Sequence, residues 1–285
     1  MNSLEEKNRK RRKRLAKGKQ LLEQILFEDS KICIHCGEKA AGKDGLCQAC
    51  GSLWDKTSSR HLLSEDPYFV VYSASFYNNF LKDAFADYKF RKKSYWAPVF
   101  AQMLDEYVHA HPILSQASWI TYIPMSKGRK MRRGYNPCQE MACFVSKKEG
   151  IVLLDALRKK GKTKEQNKLS GRARRKNVEG AFSVQEKGGR IAGKMWNDQE
   201  GKWMEGWVSI QSLASSRGIL VDDFLTTGNT MREGLQTLFE RGIVADGLTL
   251  ASVSYPRPEE AEKGKQNENC ISRTVNDFER DAPSL

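Results

Sequence analysis

The chain of 285 residues has no apolar run of about eighteen residues, so no membrane-spanning helix is expected. Its opening segment lacks an apolar core and a small-residue cleavage site, which argues against a secretory signal and makes the cytoplasm the default expectation. No helix-turn-helix pattern is evident, which disfavours a ligand-sensing transcription regulator. Gly161-Lys-Thr163 resembles the end of a P-loop, but Ala156 stands where the first glycine is needed and Arg158 to Lys160 form a poor phosphate cradle. Acidic charge is also in deficit. Against 48 Lys and Arg stand 35 Asp and Glu, a formal net charge of +13.

The excess is concentrated. Residues 1–20 hold nine Lys and Arg against Glu5 and Glu6, residues 127–133 hold five, and residues 158–176 hold ten against Glu165, so the remainder is net acidic. Such clustering points to polyanion contact, either nucleic acid or a phosphorylated ligand, although a solvated tail is the competing reading for Lys7 to Lys19. Leu15, Leu21, Leu22, Ile25 and Leu26 indicate a helix after that run, so residues 1–30 form a basic tail and helix. Hydrophobic residues make up 39% of the chain, enough for one large domain or two smaller ones.

Residues 31–60 contain Cys33-Ile-His-Cys36 and Cys47-Gln-Ala-Cys50, each knuckle followed by a glycine. Four thiolates at this spacing suit tetrahedral coordination of a structural Zn²⁺. Disulfides are disfavoured in a reducing compartment, and a thioredoxin-like site needs a single motif at a strand-to-helix junction. His35 is expected to be a bystander. Cys138 and Cys143 read as inert core thiols on a helix, and Cys270 lies in the polar tail.

Residues 61–115 carry two amphipathic helical patterns, through Phe80, Leu81, Ala84, Phe85 and Tyr88 and through Phe100, Met103, Leu104, Tyr107 and Val108, and read as a helical connecting region. From Trp119 the pattern becomes α/β. A strand from Trp119 to Pro124, a basic loop over 126–136, a helix reaching about Lys148 and a strand from Ile151 to Leu154 predict parallel pairing. Ligands bind at the C-terminal ends of such strands. There Lys127, Arg129, Lys130, Arg132 and Arg133 can grip a pyrophosphate or a nucleic-acid backbone, and Lys160, Lys162 and Arg172 belong to a second basic loop that reads as a lid.

The centre of the pattern is Gly218-Ile-Leu-Val-Asp-Asp-Phe-Leu-Thr-Thr-Gly-Asn-Thr230. Ile219 to Val221 predict a buried strand delivering Asp222 and Asp223 at its end; Met231, Leu235, Leu238 and Phe239 predict a helix beyond, with Thr230 and Glu233 as a capping box and Gly242 as its stop. Thr226, Thr227, Gly228, Asn229 and Thr230 between them form an anion site at a helix N-terminus. Two acids beside a phosphate cradle require hydroxyls or a divalent cation. A ribose 5-phosphate meets both demands, its hydroxyls donating to Asp222 and Asp223 and its phosphate resting on residues 226–230. This stretch resembles the phosphoribosyl-pyrophosphate (PRPP) motif of type I phosphoribosyltransferases.

A narrower resemblance follows from order. The four cysteines, Tyr88-Lys89, Ile123-Pro124, Arg132-Arg-Gly-Tyr-Asn136, Gln166, Arg172, Asn177-Val-Glu-Gly-Ala-Phe182 and the PRPP motif are together similar to the ComF family of bacterial competence proteins (ComFC-like), over residues 31 to 255 or so. The resemblance implies a mostly parallel α/β sheet flanked by helices over residues 116–255, behind a small N-terminal zinc finger. It also implies a role in natural transformation, handling incoming single-stranded DNA in the cytoplasm, with DNA-uptake machinery proteins as partners. A catalytic phosphoribosyltransferase using Mg²⁺-PRPP and transferring to an amine or base is the alternative. Two departures stand out: Pro137 replaces the family's usual glutamine, and residues 185–212 read as an insertion. The insertion carries Trp196, Trp203 and Trp207 and predicts a hairpin turning over 197–201, the tryptophans packing it onto the domain rather than stacking on bases. Thr249 to Val253 predict the last strand, and residues 256–285 a polar tail.

Overall fold

The computed structural model describes residues 32–38, 42, 45–65, 67–91, 93–160 and 180–254. The helix expected within 1–30, most of the lid at 158–176 and the tail at 256–285 lie outside the described residues. By packing, the chain divides into two compact units, Met1–Trp54 with Asn79–Val99 and Asp55–Asn78 with Phe100–Leu285.

The first unit holds the cysteine knuckles, α1 (Gln48–Ser52) and α2 (Asn79–Phe90). Helix α2 buries Phe80, Leu81, Ala84, Phe85 and Tyr88, an apolar stripe repeating with the helical period. Edge-to-face rings extend this small core, with Phe80 and Trp96 at 6.2 Å and His35 and Phe80 at 4.8 Å between centroids. Trp96 opens α3 (Trp96–Ala110), whose later turns belong to the second unit.

In the second unit the elements run β1 (Ser59–Glu65), β2 (Tyr68–Phe76), β3 (Trp119–Tyr122), α4 (Lys127–Arg133), α5 (Pro137–Glu149), β4 (Val152–Leu154), β5 (Leu157–Lys159) and β6 (Phe182–Val184). They continue with β7 (Glu186–Lys187), β8 (Arg190–Asn197), β9 (Lys202–Ser209), α6 (Ile210–Ala214), β10 (Arg217–Leu225), α7 (Asn229–Phe239) and β11 (Val244–Ser252). Nine strands form one sheet in the order β1-β2-β11-β10-β3-β4-β8-β7, with β9 also paired to β8; β5 and β6 pair separately. The five central strands, β2 to β4 in that order, are mutually parallel, and the flanking strands are antiparallel. Parallel strands covered on both faces need near-continuous apolar runs. Those of Phe69 to Tyr72, Ile219 to Val221 and Leu248 to Ala251 meet that demand, with all but Thr249 apolar.

Close approach sets two glycines. A Cβ at Gly218 would lie 2.2 Å from the Trp119 indole on the neighbouring strand, and one at Gly234 would lie 2.8 Å from Ile123 and Leu220 under α7. At the base of β10, Arg217 pairs through two bonds with buried Asp246 of β11, Nη2 to Oδ1 measuring 2.8 Å. These contacts bring β3, β10 and β11 into register beneath the site.

Four expectations are corrected. Residues 61–115 are not purely helical: β1 and β2 occupy their first part, because the β-branched and aromatic run through Val70, Val71 and Tyr72 is buried on both faces of the sheet. The division at 116 likewise gives way to two interleaved units. The basic segment 126–136 contains the helix α4, whose end is set by Gly134 at a φ of 91°. The Thr230–Glu233 capping box does not form, since α7 starts earlier, behind Gly228, and Thr230 lies within its first turn. Residues 197–201 do form the hairpin turn, joining β8 to β9, and the ribbon continues the sheet beyond β4.

Candidate functional site

Of the residues expected to form a site, Asp222 and Asp223 lie near the C-terminal end of β10, residues 226–230 follow it, and the cations of α4 follow β3. Strand β10 runs past its apolar triplet to Leu225, so Asp222 and Asp223 are half-buried within its last residues. Each carboxylate accepts from the next backbone N–H: Asp223 N–H to Asp222 Oδ1 and Phe224 N–H to Asp223 Oδ1, both at 2.8 Å. These bonds set the direction of both acids. Thr226 and Thr227 follow, exposed, and Gly228 turns the chain into α7 at a φ of 71°. A Cβ there would also meet Leu63 Cδ2 at 2.7 Å, so both the positive φ and the space favour glycine at this turn. Arg232 ties the first turn of α7 to β1, donating to Leu63 O at 2.8 and 3.1 Å and to Asn229 Oδ1 at 3.3 Å. The N-terminal N–H groups of α7, which have no partner within the helix, open beside the acid pair.

From β3, buried Asn136 donates to Ile123 O at 3.0 Å and accepts from Cys138 N–H at 3.2 Å, capping α5 and fixing its start against the strand end. This brings the buried Cys138 thiol to 3.4 Å from Asp222 Oδ1, to which it donates. Cys138, Asp222 and Asp223 offer ligand atoms within 4.8 Å of one another. Cys138 is a buried thiol on a helix, as the sequence predicts, and it also touches Asp222, a contact the sequence does not announce.

Lys159, at the end of β5, is a residue missed as an individual. Burial lowers its ammonium pKa and the Arg129 charge adds to that, while Asp222 opposes both, so α4, β5 and β10 share one electrostatic neighbourhood. Lys127, Arg129, Lys130 and Arg132 are exposed on α4, Arg133 is half-buried, and Lys160 is exposed after β5. Lys162 and Arg172 lie outside the described residues. At the end of β3 Tyr122 donates to Asp155 Oδ1 at 2.9 Å, and Gln185 donates to Asp155 Oδ2 at 2.8 Å. Burial, then the Asp155 charge, pushes the Tyr122 phenol up, so it remains a donor at neutral pH.

In the first unit Cys33, Cys36, Cys47 and Cys50 converge with their sulfurs within 4.8 Å. Gly37, at a φ of 81°, turns the first knuckle, with its N–H donating to Cys33 O at 2.9 Å; Cys50 N–H donates to Cys47 Sγ at 3.4 Å. Although burial opposes it, backbone N–H groups of Cys36, Cys47 and His35 bring the Cys33 thiol down to about 6. Four sulfurs so placed can hold a zinc ion. His35 instead packs its ring on Phe80 and Trp96.

Among the described residues no helix is long and apolar enough to cross a membrane. No protein-family model matches the chain. It is 25% identical over 221 residues to the DNA utilization protein YhgH of Salmonella typhi, spanning 74% of this chain and 85% of that protein. The DNA utilization protein YhgH of Salmonella typhimurium LT2 shows the same identity and coverage.

Proposed function

We propose that this protein handles incoming single-stranded DNA in the cytoplasm during natural transformation, through a type I phosphoribosyltransferase-like domain that binds PRPP or another phosphoribosyl ligand. One observation carries the reading: an acid pair ends a central parallel strand and is followed at once by the Gly228 turn and the N-terminus of α7, with Lys159 and Arg129 in the field of Asp222. The ribose hydroxyls donate to Asp222 and Asp223, whose direction is set beforehand by backbone bonds, and the 5-phosphate rests on residues 226–230. Mg²⁺, an oxygen-seeking ion, enters with the pyrophosphate, whose charge faces Arg129 and Lys159. Similarity to a DNA utilization protein supports the DNA side. The exposed cations of α4 and the basic residues of 1–20 contact phosphates of the strand, and DNA-uptake proteins are the expected partners. A structural Zn²⁺ on Cys33, Cys36, Cys47 and Cys50 holds the first unit together.

Calorimetry with Mg²⁺ and PRPP on the wild type and on Asp222→Asn/Asp223→Asn tests the ligand: heat in the first and none in the second is expected, and equal heats remove the phosphoribosyl site. Affinity for an oligonucleotide should fall with salt at a log–log slope of about −0.7 per phosphate neutralised, and a flat response removes the DNA reading. The cations beside Asp222 also favour a second reading, catalytic phosphoribosyl transfer, because they lie where charge develops on a departing pyrophosphate. Pyrophosphate release with an added amine or base would establish it; binding without release leaves the accessory role.

A further inference from the structure

The ribbon of β8 and β9 bears three tryptophans on one face. Its register opposes Ala192 to Trp207, Lys194 to Glu205 and Trp196 to Trp203, so these six side chains project on the same side. Two of the rings are satisfied within the protein. Trp196 and Trp203 meet edge to face at 5.5 Å, Lys147 of α5 lies 3.9 Å over Trp196, and Lys194 lies 4.5 Å over Trp203. This is the packing the sequence predicts.

Trp207 is different. It is 55% exposed, and its directly opposed neighbour is only an alanine. Its diagonal neighbours across the ribbon are Arg190, opposite Ser209, and Lys194, opposite Glu205, each about 7–8 Å away by strand geometry. Lys194 keeps its ammonium over the Trp203 ring, so Arg190 is the cation nearest by register to the open indole, and such a pairing suits a single-stranded nucleic acid, in which a flat base alternates with a phosphate. Unlike Trp196 and Trp203, the Trp207 indole is left more than half in water, diagonal to Arg190. The place also fits the rest of the chain. Asp155 N–H donates to Ala192 O at 2.9 Å, so Trp207, across β8 from β4, stands level with the C-terminal end of β4, the end of the sheet at which β10 carries the acid pair.

We infer that Trp207, with Arg190 diagonal to it on the ribbon, is a stacking platform for a base of single-stranded nucleic acid. The inference rests on the DNA reading above and adds to it the surface that holds the strand. Glu205, on the same face, offsets part of the local charge, so the ring rather than the cations contributes most of the affinity at this point.

The test is fluorescence anisotropy of a labelled thymidine oligonucleotide with the wild type, Trp207→Ala and Trp207→Phe, over a range of salt. Trp207→Ala should lower affinity about 5- to 150-fold, the equivalent of losing one stacked base, while Trp207→Phe retains most of it. The salt slope should be the same in all three, since stacking neutralises no phosphate. Arg129→Ala/Lys130→Ala provides the contrast, with a shallower slope. Unchanged affinity in Trp207→Ala, with the wild type binding, overturns this inference and leaves the DNA reading standing. No binding by the wild type overturns both. Because Trp207 is exposed, its replacement should leave the melting temperature within about a degree or two of wild type, which separates loss of stacking from loss of fold.

Discussion

Asp105 offers a quantitative check on how the second unit is assembled. It lies on α3 with its Oδ1 buried and without a hydrogen-bond partner among the described residues. Burial raises its pKa from 3.8 to about 6, and the nearby Glu149 and more weakly Glu106 add to the rise, while Lys148 and His109 oppose it. The folded value lies above the unfolded one, so the folded state binds this proton more tightly. The stability contributed is therefore complete below about pH 4 and lost as pH rises through about 6. At roughly 1.4 kcal/mol for each pKa unit, the loss by pH 7.5 is about 3 kcal/mol at most, and about 1–2 kcal/mol after solvent screening of a partly exposed group. Asp105→Asn removes the charge and keeps the shape. Denaturant unfolding of both proteins at pH 3.5 and pH 7.5 should show the variant more stable by about 1–2 kcal/mol at pH 7.5 and nearly equal at pH 3.5, with roughly half of the difference already present at pH 5. A difference that stays constant with pH, or grows on acidification, would refute the reasoning.

Two further outcomes bear on stability. Gly218→Ala drives a methyl into the Trp119 ring and should cost about 1–3 kcal/mol or more, read as a lowered unfolding midpoint; an unchanged midpoint would mean that β3 and β10 do not approach as closely as described. Cys33→Ser/Cys36→Ser, or chelation of the metal, should remove zinc from the purified protein and lower the melting temperature, whereas absence of zinc from the wild type would refute the assignment.

Much of the site is legible locally. Thr226 to Thr230 after an apolar strand announces a turn into a helix, and Gly228 supplies the reason, since its positive φ and the nearby Leu63 both favour glycine. The paired C-x-x-C knuckles imply converging sulfurs because each knuckle is a local turn. The 197–201 turn is equally local, and β8 and β9 pair across it as expected. Other features were less legible. The strand from Tyr68 to Phe76 was obscured by the helical patterns around it, although its apolar run is a sound strand signal. Helix α4 is short and exposed, with no buried face to produce a periodic pattern, so its segment reads as a loop.

By itself the sequence determined the acid pair, the glycine turn, the four-cysteine cluster and the hairpin, because each depends on residues close together in the chain and on backbone conformations they alone permit. Only the tertiary structure decided the company those residues keep. Cys138 reaches Asp222 across 84 positions, and Lys159 shares its field with Arg129, because the sheet order sets β10 beside β3 and β4 beyond it. That order follows from burying five parallel strands on both faces at once, a condition on the whole chain that no local pattern expresses.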